Sequence, residues 1–162
     1  MAHQHFEYAR HKAFWRDLFS RLTRKCNELL AFDQICQGLS LKGQYYRGLQ
    51  VICLDKIVGS EGRYHDFDRA FFPRQDRTKE RWVRIDRTYY EEVTLPPVEL
   101  IKVGEVYFVR DGNHRISVAR AHGQEFIDAY ITELDVSAPP ESKRGNRKCS
   151  INNNFHVSNH WA

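Results

Sequence analysis

Residues 111–115 read Asp-Gly-Asn-His-Arg, which sets a carboxylate, a bare backbone position, an amide, an imidazole and a guanidinium in consecutive places. Val106, Phe108 and Val109 precede them as apolar β-formers, and Ile116, Val118 and Ala119 follow at helical spacing. A strand that runs into a helix in this way collects the unpaired N–H groups of the first helical turn at one point, on the positive end of the helix dipole. Such a point suits an anion. Gly112 lacks a Cβ, so a phosphate can approach the main chain. Asn113 can cap the helix, while His114 and Arg115 add donors, the guanidinium in a two-pronged geometry that matches phosphate oxygens. Asp111 can hold a divalent cation such as Mg²⁺ or take a proton. The same residues also suit a plain Asp-Gly turn with an Asn cap and an exposed Arg115, and residue types alone leave both readings open.

The cluster needs a stiff strand before it and a short helix after it. Residues 98–103 and 106–109, joined at Gly104-Glu105, have the pattern of a hairpin, and residues 126–134 alternate as a half-buried strand. Gly123 closes the helix between them. Upstream, residues 49–54 (LQVICL) are expected as a buried strand and residues 58–63 (VGSEGR) as a loop whose glycines permit close backbone approach. Trp82, Ile85, Tyr89 and Val93 recur at helical spacing, with Asp76 or Thr78 as the cap and Pro96-Pro97 as the stop. At the start, Phe6, Ala9, Phe14, Leu18, Leu22, Cys26 and Leu29 make one face of a helix over residues 4–30 whose other positions are largely basic. A second short helix is expected over residues 33–39. The fold class that follows is α/β (α+β), a small mixed sheet with flanking helices. The expected organisation is an N-terminal helical extension over 1–45, a domain over 46–135, and a polar tail over 136–162.

Composition narrows the classes of function. An apolar fraction of 41% with 28% charged residues supports a packed core, and 162 residues suffice for one. The net charge of +4 suits a partner that carries phosphate without separating nucleotide from nucleic acid. No apolar run approaches the roughly 18 residues of a membrane span, so a cytoplasmic protein with no membrane partner is expected. Cys26, Cys36, Cys53 and Cys149 lack the close spacing of a structural zinc site and read as reduced thiols. His156 with His160, and His3 with His5, are pairs with no evident third ligand. Asp66 and Asp68 are not spaced for two-metal hydrolysis, which weighs against a nuclease. The apolar face of the first helix allows a homodimer.

The stretch Gly112-Asn113-His114-Arg115-Ile116-Ser117-Val118-Ala119, together with the early strand, its loop and the hairpin, resembles the ParB/sulfiredoxin-like superfamily over about residues 49–134. That resemblance implies a fold with a nucleotide-phosphate site at the turn. Sulfiredoxins carry Gly-Cys-His-Arg there, and Asn113 in place of the cysteine removes the thiolate chemistry. ParB partition proteins carry Gly-Glu-Arg-Arg and add a helix-turn-helix module, for which the polar tail here is no match. The Asp-Gly-His-His-Arg turn of the free-serine kinase branch and of short bacterial ParB-like proteins differs from this one only at Asn113. On that likeness Asp111 and His114 serve phosphoryl transfer, and Glu61, in the loop after the first strand, acts as the base. Gly112, Asn113, His114, Arg115 and Arg63 cradle the phosphates, with Arg69 and Arg74 as further candidates to close over them. The implied function is a nucleotide-binding domain, extended to a phosphotransferase that uses ATP or ADP (or binds CTP) with Mg²⁺ held by Asp111 and acts on a small hydroxyl-bearing acceptor. The alternative is a DNA-associated regulator or partition-type protein without turnover.

Overall fold

The computed structural model describes residues 1–23, 27–37, 39–91 and 93–137. Residues 138–162 of the tail expected over 136–162, with Cys149 and the His156/His160 pair, lie outside the described residues, as does Cys26, while residues 136–137 end β6. The helices are α1 (Ala2–Thr23), α2 (Phe32–Cys36), α3 (Lys79–Tyr90) and α4 (Asn113–Ala121). The strands are β1 (Leu30–Ala31), β2 (Ser40–Cys53), β3 (Ile57–Ser60), β4 (Val98–Val103), β5 (Val106–Asp111) and β6 (Phe126–Ser137). They form one mixed sheet in the order β1-β3-β5-β4-β6-β2. The expected hairpin is β4 and β5, paired antiparallel from Val103 opposite Val106 to Glu99 opposite Asp111. β6 runs parallel to β4 on the other side.

β4 and β5 sit at the middle of the sheet, and Leu100, Ile101, Phe108 and Val109 are all buried, so side chains on both faces of these strands are covered. On one face Ile116 and Ala119 of α4 pack with Val98, Leu100, Val109, Ile131, Phe67 and Phe71. The next residue but one, Val118, turns the other way and joins Phe6 and Ala9 of α1 with Trp82 and Val83 of α3. α4 is therefore held between the sheet and a helical layer. The Trp82 indole N–H donates to Ser117 Oγ at 2.9 Å inside that layer.

Three expectations need correction. Residues 49–54 are not one buried strand: residues 49–53 end β2, which among the described residues pairs only with β6 at the margin of the sheet and leaves Leu49 and Val51 exposed, and the buried Leu54 opens a short 3-10 turn. β-branched and apolar residues favour a strand without deciding whether its faces are covered. Residues 58–60 of the expected loop over 58–63 are strand instead, part of β3, which runs parallel to β5 with Ser60 opposite Val109. Gly59 is there because the strands lie too close for a side chain: a Cβ would stand 2.6 Å from the Phe108 ring. Finally, the segment treated as an extension takes part in the core, since Phe6 is fully buried against Trp82 and β1 pairs in parallel with β3. The helical face expected to run on to Leu29 loses its cover early, with Phe14 and Leu18 exposed. Among the described residues no helix is long and apolar enough to cross a membrane.

Candidate functional site

β5 delivers the chain to Arg110 and Asp111, and Gly112, at φ +107°, turns it into α4. The Gly112 carbonyl accepts from the Ile116 amide at 3.0 Å, which leaves the amides of the first turn without intrahelical carbonyls. Beside this turn lies a cleft of about 170 Å³. Residues 110–115 form one wall, Gly62 and Arg63 from the loop after β3 another, and Arg81 and Ile85 of α3 the third. Four arginines line it (Arg63, Arg81, Arg110 and Arg115), against one carboxylate, Asp111.

The arginines differ in what they already hold. Arg115 is committed: its Nη1 donates to the carbonyls of Pro96 at 2.6 Å and Pro97 at 2.7 Å, and its Nη2 pairs with Asp111. It braces the segment that enters β4 against the start of α4, and so positions the turn more than it offers a free fork to a ligand. Arg110 pairs with Glu61 at 3.4 Å, and Arg63 with Asp66 at 3.4 Å. Arg81 makes no ion pair or hydrogen bond among the described residues. Arg63 also holds a backbone φ of +32°, in the left-handed region that side chains disfavour by about 1–2 kcal/mol. Such strain concentrates at binding sites.

His114 is buried with its ring edge-on to Phe67, centroids 5.3 Å apart. Burial, reinforced by the Arg81 and Arg63 guanidinia, pushes its imidazole down to about 4, so it is neutral near pH 7. Among the described residues its Nε2 has no hydrogen-bond partner, and neither has the buried Oδ1 of its neighbour Asn113. An unpartnered buried polar atom costs about 1–3 kcal/mol, and this cleft holds two. Nε2 can donate to an anionic oxygen in one tautomer and accept in the other, while Asn113 Oδ1 accepts from a hydroxyl or water.

Most of the residues singled out in the sequence thus meet in one place: Asp111, Gly112, Asn113, His114, Arg115 and Arg63 all line the cleft. Their parts differ from expectation in four respects. Asn113 does not cap α4; Gly112 occupies the cap position and no side chain caps it. Gly112 is not kept bare for a ligand, because a Cβ there would meet Val98 Cγ1 at 2.5 Å, in the core. Glu61 stands outside the cleft lining and is paired with Arg110. Arg69 and Arg74 do not line it either. Arg81 and Arg110 went unnoticed in the sequence. Arg81 and Ile85 lie at i and i+4 of one helix, which places them on a common face, but only the docking of α3 beside α4 turns that face toward residues 110–115.

No protein-family model matches the chain, and no curated protein matches it. Among solved structures, the crystal structure of sulfiredoxin from Arabidopsis thaliana superposes on 51% of this chain and 82% of its own, with 17% identity and a TM-score of 0.39. That likeness is one of fold, and too loose to carry an argument about residues or chemistry. The mixed α/β sheet rests on the strand pairing itself.

Proposed function

We propose that the cleft at the N-terminus of α4 binds the phosphate end of a nucleotide. The observation that carries this reading is the unpartnered buried His114 Nε2, which donates to an anionic oxygen in its Nε2–H tautomer, in a cleft that also presents Arg81, which has no ion pair or hydrogen bond among the described residues. Free first-turn amides and an excess of guanidinium over carboxylate support an anionic ligand. Size supports a part-ligand: about 170 Å³ falls below the roughly 300 Å³ at which pockets begin to enclose a drug-sized molecule, so one or two phosphoryl groups enter while the nucleoside stays outside.

A resident magnesium site does not fit these residues. The carboxylate in the lining, Asp111, is engaged by Arg115, and the arginines around it oppose a bare cation. Phosphoryl transfer to a hydroxyl-bearing acceptor, from ATP or ADP, is the further step of this proposal. It requires Glu61 to leave Arg110 before it can serve as a base. His114, held neutral, offers a hydrogen bond to the transferred group and not a charge.

Calorimetric titration with inorganic phosphate, ADP, ATP, CTP and a short DNA duplex tests the reading. We expect a nucleotide to bind and Arg81→Ala to weaken it about 10- to 100-fold, the equivalent of losing one hydrogen bond from a charged donor. Nucleotide affinity equal in wild type and Arg81→Ala removes the cleft from consideration. Binding of the duplex alone, with a steep salt dependence, replaces the reading with that of a DNA-associated regulator.

A further inference from the structure

His5, read from the sequence as half of an isolated pair with His3, lies against two residues from distant parts of the chain. Its Nδ1 is 3.2 Å from Asp86 Oδ2, and His122 Nε2 is 2.7 Å from Asp86 Oδ1. One ligand atom from each of the three falls within 4.8 Å of the others. The Tyr90 hydroxyl is 3.2 Å from the same His5 nitrogen, and the Tyr89 ring stacks on His122 at 4.2 Å and 17°, which fixes the plane of that imidazole. We propose that His5, Asp86 and His122 bind one divalent transition-metal ion, with zinc the best fit, and that the ion ties α1, α3 and α4 together.

Three observations support the assignment. The donor set, two imidazoles and one carboxylate, is that of zinc sites with three protein ligands and one open position. Ligands about 2.0–2.2 Å from a tetrahedral ion stand about 3.3–3.6 Å apart, so the contacts at 2.7 and 3.2 Å need to open by less than an ångström through side-chain rotation. Electrostatics favours a cation as well. The Asp86 side chain is wholly buried, and its ion-pair partners among the described residues are these histidines alone. A buried carboxylate without a cation is costly, and a metal supplies the missing charge. The C-terminal ends of α3 and α4 converge here too, with Tyr90 the last residue of one and His122 the cap of the other, so both add partial negative charge. His5 retains about a third of its side-chain exposure, which leaves a path for the ion and room for water as the fourth ligand.

The site stands at the far end of α4 from the cleft, about 13 Å along the helix, and does not depend on the nucleotide reading. The test uses the full chain, stripped with a chelator and titrated with Zn²⁺ and, separately, Co²⁺. We expect one ion per chain by calorimetry, a raised Tm with Zn²⁺, and a strong visible absorption from Co²⁺ of the kind given by four-coordinate sites. The single variants His5→Ala and His122→Ala should each weaken binding at least tenfold, whereas His3→Ala and His11→Ala should leave it unchanged. His5 is at the surface of the first helical turn, so its variant keeps the test valid even where His122→Ala unfolds. No binding to wild type, or binding that survives His5→Ala because histidines or cysteines elsewhere hold the ion, overturns the proposal.

Discussion

Gly112→Ala separates two explanations of the glycine that opens α4. If the bare position exists for a ligand, the variant folds normally and loses only binding. The geometry says otherwise. At φ +107° an L-residue is disfavoured, by about 1–2 kcal/mol on the scale of left-handed backbone. The new methyl would stand 2.5 Å from Val98 Cγ1 and 2.8 Å from Val98 Cβ, with Val98 fully buried. Relief requires backbone movement because a Cβ cannot rotate away, and overpacking of that kind costs about 1–3 kcal/mol. Restricting the unfolded chain returns about 0.4–1 kcal/mol. The net loss is about 1–4.6 kcal/mol, which for a chain of this length lowers Tm by about 2–18 °C. Thermal unfolding followed by circular dichroism reads the shift. A double-mutant cycle with Val98→Ala locates its source: truncating Val98 should cost about 1 kcal/mol less in the Gly112→Ala background than in wild type. A variant that melts within a degree of wild type, or a cycle that is additive, refutes the packing argument.

Two further outcomes are expected. Ser117→Ala strands the Trp82 indole N–H in a fully buried layer and should destabilise the protein by about 1–3 kcal/mol in urea unfolding; a loss below about 0.5 kcal/mol would mean that the indole finds another partner. His114 gives stability a pH dependence. Its imidazole is at about 4 when folded against about 6.5 when unfolded, so between those values the unfolded chain binds the extra proton and stability falls as pH drops. The full window amounts to about 3 kcal/mol, present at neutral pH and lost on acidification from about 6.5 toward 4. Urea unfolding across that window should show a shallower slope for His114→Gln, and parallel slopes would show that the imidazole is not desolvated.

Where residues near in sequence make the structure, the sequence was readable. The β4/β5 hairpin around Gly104-Glu105, the helix that starts just past Gly112 and the strand from Phe126 each follow from local pattern, because turn chemistry and apolar period act within a few residues. For the same reason the concentration of donors at residues 111–115 was visible as a candidate anion site. Pattern failed where burial depended on a partner strand. β2 carries the composition of a core strand but has a neighbour on one side only, and the glycine in β3 looked like loop punctuation when it marks a close approach of two strands.

The sequence by itself determined that the β4/β5 hairpin, α4 and β6 form and that a carboxylate, an imidazole, an amide and a guanidinium leave one strand together. Only the tertiary structure decided what each can do. It turned Arg115 onto Asp111 and the Pro96 and Pro97 carbonyls, paired Glu61 with Arg110, and brought Arg81 to the cleft from another helix. It also carried His5 across 81 positions to Asp86. Partners of a charged side chain are chosen by whichever opposite charges and carbonyls packing delivers within about 3 Å, and that choice has no signature in the spacing of residues along the chain.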